Sequence, residues 1–229
     1  ATNTTTSVST SATPSTYGDA VTFTATVTAA TGTASPTGTV QFFDGATSLG
    51  SVSTANSTGT GTSTWSLTTA SLNAGAHASI HAVFTGTVDS FNDSTSDNIT
   101  QTVSQKSITG NFTAAAKTYD GSTAATVLTR TLTDVLAGDV ANVTMAGGTA
   151  TFNDANAGIG KTVTLAGATL AGTAASNYML SSVGTTTANI AMAEAVVTVT
   201  GYTGVYDGAA HGATGTTVGV LGESLNGLF

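Results

Sequence analysis

The side chains able to do chemistry are few: three histidines, twelve acidic and four basic residues among 229, with no cysteine. Thiolate nucleophiles, thiolate metal sites and disulfides are thereby excluded. His77 and His81 stand four residues apart, which pairs metal ligands on a helix but not on a strand, and no third ligand lies nearby in sequence. Asp89, Asp93 and Asp97, with Asn92 and Asn98, form an oxygen-rich stretch that suits Ca²⁺, a hard cation. Their spacing fits no EF-hand, so a solvated loop is the simpler expectation and no cofactor is expected. Lys117 and Lys161 are the candidates for an intramolecular isopeptide to an asparagine, which needs a buried acid beside it and releases ammonia.

Enzymatic signatures are missing. Serine is plentiful, yet no Gly-x-Ser-x-Gly elbow occurs and the histidines lack evident acid and nucleophile partners. Gly158-Ile159-Gly160-Lys161-Thr162 has the look of a phosphate loop, but it lacks the leading glycine and a following helix. A hairpin turn is expected there instead. Tyr119-Asp120-Gly121 recurs as Tyr206-Asp207-Gly208, 87 residues further on. An exposed tyrosine offers a sugar an apolar face and a hydroxyl tip. The structural alternative has Asp-Gly turning the chain and tyrosine anchoring the turn. The sequons Asn98-Ile99-Thr100 and Asn142-Val143-Thr144 arise readily by chance in a Thr-rich chain.

The elements that would position these residues are strands. Val21, Phe23, Ala25 and Val27 alternate with hydroxyls, a period of two. Pro36-Thr37-Gly38 leads into Thr39 to Phe43, and Asp44-Gly45 supplies the pair a tight hairpin needs before Leu49 and Val52. Trp65 and Leu67 share a face, which makes Trp65 a core anchor, and Leu72 to Gly75 turn the chain toward Ile80, Ala82 and Phe84. Ile99 to Val103 closes the first set. Turn signals at short intervals between such runs indicate a β-sandwich. The pattern restarts near Gln105-Lys106-Ser107, with Ile108 and Phe112, and later runs cover Val143 to Met145, Thr149 to Phe152, Val163 to Leu165 and Thr186 to Ile190. Leu132 to Leu136 reads as a short helical turn. A third start follows Ala191 to Ala195 in Val196-Val197-Thr198-Val199. A recurrence of domain size means an array.

The expected fold is therefore all-β: tandem immunoglobulin-like antiparallel sandwiches, with modules at 1–104 and 105–191 and an incomplete one at 192–229. Two or three strands bury no independent core, so Val197 and Val199 join Tyr119, Asp120, Tyr206 and Asp207 as candidates for assembly or ligand contact. The formal charge of −8 disfavours nucleic acid and anionic lipid. No apolar run reaches the roughly 20 residues of a membrane span, and a chain starting at Ala1 reads as an excerpt of a larger precursor.

Motifs carry three family resemblances. Tyr17-Gly18, Val21 to Ala25, Pro36 to Gly45, Leu49-Gly50 and Thr100 to Val103 resemble the bacterial Ig-like repeat of large surface proteins. That pattern places a histidine two residues before the inward isoleucine, whereas His77 precedes Ile80 by three, so a one-residue bulge is expected. Lys117 to Gly121, Asn156 to Val163 and Ser176-Asn177-Tyr178 resemble the YDG repeat of bacterial adhesins. Tyr206-Asp207-Gly208, Ala210 to Ala213 and Gly222 to Leu225 are similar to the start of the related MBG repeat. The resemblances imply a secreted or surface-borne bacterial stalk or adhesin segment that is not an enzyme. Its partners would be neighbouring modules, identical subunits joined in a filament by strand complementation, or a glycan.

Overall fold

The computed structural model describes residues 1–228. The chain divides into two units, Ala1–Ser107 with Thr173–Met179, and Ile108–Gly172 with the residues from Leu180 onward.

In the first unit the strands are β1 (Thr4–Thr10), β2 (Ser15–Thr16), β3 (Val21–Ala29), β4 (Gly38–Asp44), β5 (Thr47–Val52), β6 (Asn56–Ser57), β7 (Thr62–Thr69), β8 (Gly75–Gly86), β9 (Ser94–Thr95) and β10 (Ile99–Ser104). They form two sheets, β1-β3-β7-β6 and β2-β10-β8-β4-β5, with β9 also on β8. The alternation of β3 is realised in full: Val21, Phe23, Ala25 and Val27 are buried, and Thr24 and Thr26 on its other face are half-buried. Trp65 on β7 and Phe42, Ile80 and Phe84 on the second sheet complete the core, each without measurable exposure. Gln101 is buried with them and ties three segments together. Its Oε1 accepts from Thr10 Oγ1 at 2.6 Å, and its Nε2 donates to Ser15 Oγ at 3.1 Å and Thr102 O at 2.9 Å.

Two local expectations for this unit meet the structure differently. The bulge is present: His77 pairs with Gln101 and Ile80 with Ile99, so three steps on β8 oppose two on β10. The β4–β5 hairpin, however, turns on Gly45-Ala46 rather than Asp44-Gly45, because Asp44 still pairs with Thr47. Gly45 alone takes the left-handed φ, 56°, as in turns with glycine at the first central position.

The second unit contains β11 (Lys106–Ala114), β12 (Lys117–Thr118), β13 (Val127–Thr133), β14 (Thr144–Phe152), β15 (Gly158–Ala171), β16 (Tyr178–Val183), β17 (Thr186–Ala191), β18 (Val196–Thr200) and β19 (Thr214–Val218). Its sheets are β13-β11-β16, β12-β17-β15-β14 and the separate pair β18-β19. Phe112, Met145, Phe152, Val163 and Ile190 form its core. Leu132 to Leu136 is not a helical turn. The strand runs through Thr133, Asp134 breaks it with φ 67°, and the 3₁₀ turn begins only at Ala137. Gly158 to Lys161 is not a hairpin turn either but a one-residue bulge inside β15, where Gly158 pairs with Ile190 and Lys161 with Ala188.

The pair β18-β19 replays the start of this unit. Each precedes or follows a Tyr-Asp-Gly turn as β11 and β13 do, and the parity agrees: Gly110 and Phe112, the positions that match Val197 and Val199 at an offset of 87 residues, are both buried. β11 has neighbours on both sides, β13 and β16, whereas β18 has only β19. Val197 and Val199 accordingly stay 57% and 67% exposed.

Candidate functional site

The Tyr-Asp-Gly turn of the second unit is built from its own side chains. β12 carries Lys117 to the turn, and Lys117 Nζ donates to Asp120 Oδ1 at 2.8 Å, Ser122 O at 2.7 Å and Ser122 Oγ at 3.0 Å. Asp120 Oδ1 also accepts from Ser122 N and Oγ, each at 2.9 Å. Lys117 first, then the two Ser122 donors, hold the Asp120 carboxyl down at about 2. Gly121 completes the turn at φ 73°, and Tyr119 packs on the core. These five residues make their contacts within the turn and onto the core beside it.

The second copy is wired differently. Asp207 Oδ1 accepts from Ala209 N at 2.9 Å and from His211 Nε2 at 2.8 Å, which lowers its pKa. His211 stacks on Tyr202 at 3.8 Å between ring centroids. Tyr206, with no core beneath it, is 93% exposed. Tyr178 is buried and Tyr119 half-buried, while Tyr202 and Tyr206 are exposed.

The other sequence candidates separate. Asp89, Asp93 and Asp97 do not converge on a cation site: among the described residues no three His, Cys, Asp or Glu side chains are placed to hold a metal. Asp89 occupies a left-handed turn position, and Asp93 Oδ1 accepts from Gly86 N at 2.9 Å, so the loop uses its own oxygens. Lys161 faces Asp154, not an asparagine, and Asp154 Oδ1 also takes Asn156 N. His81 stacks on Phe43 at 5.2 Å and shares no ligand with His77. Trp65 is core, 5.3 Å from Phe84 between ring centroids, and its indole N–H has no partner among the described residues.

His77 has an environment that its sequence neighbourhood does not announce. The bulge puts His77 and Ile80 on one face of β8, which strict alternation over three residues forbids. Asp44, paired with Ile80, lies on the same side. His77 Nδ1 meets Asp44 Oδ2 at 2.6 Å and Nε2 meets Asn73 O at 2.9 Å. Burial works against the charged imidazole, but the hydrogen bond to Asn73, the hydrogen bond to Asp44 and the Asp44 charge outweigh it, so the pKa is raised above 6.5. Asn73 and Ala74 in turn hold Asn177: Ala74 N donates to Asn177 Oδ1 at 2.9 Å, and Asn177 Nδ2 donates to Asn73 Oδ1 at 3.2 Å. Asn73 and Asn177 are over a hundred residues apart, and no local pattern pairs them. The unusual His77–Ile80 spacing was the one available signal.

Two sheets closed over a buried aromatic core, with the functional-looking side chains spent on turns, define immunoglobulin-like modules of a structural or adhesive kind. Residues 7–104 match the family model of the bacterial Ig-like domain (group 3), and residues 104–188 match that of the YDG domain. The chain thus contains a bacterial Ig-like domain followed by a YDG domain. No curated protein matches it. Among solved structures it is similar to the fibronectin(III)-like modules of Clostridium thermocellum CbhA, with 17% identity over 81% of this chain and 94% of that one and a TM-score of 0.30.

Proposed function

We propose that this chain is a non-enzymatic segment of a secreted or surface-borne bacterial protein, a spacer of tandem β-modules that carries other parts of the molecule away from the cell. The observation that carries this reading is the match to an Ig-like and then a YDG module, each with a core of its own. Two features support it. Hydroxyls replace charges on the strand faces, since only 7% of residues are charged. The Tyr119 turn spends its polar groups internally. Antibodies raised against residues 1–107 should label intact cells of the producing bacterium, and external protease should remove the label. Labelling only after lysis would refute the proposal.

A second reading is a filament subunit joined to identical copies by strand complementation, in which the exposed Val197 and Val199 of β18 would take the contact. Sedimentation of the full chain tests it. Association that grows with concentration supports the filament, and a monomer at high concentration removes it.

A further inference from the structure

We propose that Asp44, His77 and Asn73 form a pH-operated latch, which holds the loop before β8 in the conformation that seats Thr173–Met179 within the first unit. Both ring nitrogens of His77 lie against acceptors, Asp44 Oδ2 at 2.6 Å and Asn73 O at 2.9 Å. A neutral imidazole has one N–H and satisfies only one of them; the imidazolium satisfies both. When the ring loses a proton, the carboxylate retains the one on Nδ1. The Nε2 lone pair then faces the Asn73 carbonyl oxygen, and the contact becomes repulsive.

Asn73 is where that repulsion has a consequence. Its side chain and the next N–H, that of Ala74, are the two groups that hold the Asn177 amide. Asn177 is only 6% exposed and closes the 3₁₀ turn Ala175–Asn177, so it has little water to fall back on. A shift of the Asn73 peptide is thus passed directly to the seated segment. Asp44 of β4 is the charged group facing His77. β10 sets Gln101 and Thr102 near it, β5, residues 70–74 and Thr173–Tyr178 carry no charge, and β3 and β7 end on Val21 and Thr69. His81, on the same strand, turns its Nδ1 to Ser79 O.

The raised pKa agrees with this geometry and sets the direction. A raised folded-state value means that the stabilisation is complete below about 6.5, the unfolded value, and is lost as pH rises through the folded one. The latch is closed in mildly acidic surroundings and opens as pH rises through the raised folded-state value.

NMR on the whole chain tests it, following the His77 ring from about pH 5 to about pH 8, together with Ala74 N–H and the Asn177 side-chain amide. His77 should titrate above its ordinary value, both reporters should share its midpoint, and Ala74 protection should fall about tenfold across it, as loss of one hydrogen bond predicts. Asp44→Asn should lower the midpoint and carry the reporters with it, with Trp65 fluorescence showing that the fold persists. Should that variant unfold, the wild-type titration decides alone. Reporters that stay flat through the His77 midpoint, or that follow His81 instead, overturn the proposal, as does a His77 midpoint at or below the ordinary value.

Discussion

Replacing Phe84 with alanine tests whether the two cores are independent. Phe84 has no exposed surface, and its ring lies 5.3 Å from that of Trp65 at 52°. Truncating such a side chain costs about 3–5 kcal/mol, the lost transfer energy plus the cavity left behind. With a urea dependence of about 2 kcal/mol per molar, the unfolding midpoint should drop by roughly 2 M. The chain has a single tryptophan, and it lies in the first core, so its fluorescence reads that unit alone while far-UV circular dichroism reads both. Phe84→Ala should lower the fluorescence midpoint and leave a second dichroism transition where it was. One coincident transition that moves as a whole would refute the independence of the cores. A fluorescence midpoint that barely moves would refute the packing assigned to Phe84.

Other perturbations probe single features. The Asp120 carboxyl, held at about 2 against an ordinary 3.8, should keep its Lys117 and Ser122 bonds at about pH 4. Its stabilisation is full above the ordinary value and is lost as pH falls toward the folded one, so the Ser122 amide shift should move only there; a midpoint near 3.8 contradicts the turn wiring. Gly45→Val forces a β-branched residue into φ 56° and should lower the fluorescence midpoint by an amount equivalent to about 1–2 kcal/mol. Val199→Lys, at a position 67% exposed, should leave both unfolding transitions unchanged; a loss of concentration-dependent association would instead mark β18 as an assembly edge.

The sequence made some of this legible because some of it is local. Alternation along Val21 to Val27 names its own face, and one extra residue between His77 and Ile80 is visible as broken spacing. The Tyr-Asp-Gly turn could be read as a turn because Asp and Gly act on their immediate neighbours. Glycine misled twice: at Gly158 to Gly160 it marks a bulge within a long strand, and at Asp44-Gly45 only the glycine sits in the loop. Both outcomes depend on the partner strand, which local composition does not report. Leu132 was assigned to a helical turn because its apolar spacing is ambiguous over so few residues; pairing with Gly110 makes it strand. The candidate site fared worse. The oxygens of Asp89, Asp93 and Asp97 suggested a cation, but the three carboxylates are not gathered into one cluster, and that of Asp93 caps Gly86 N instead. Asn177, which closes the contact with Asn73 and Ala74, lies far along the chain, where only tertiary structure could bring it in.

The central claim, that this is a mechanical spacer of separately folded modules, is tested most directly by stretching one molecule from its two ends. Two distinct unfolding events should appear, each releasing roughly 350 Å for about 100 residues. A single event releasing the whole length, or extension without resistance, would contradict it.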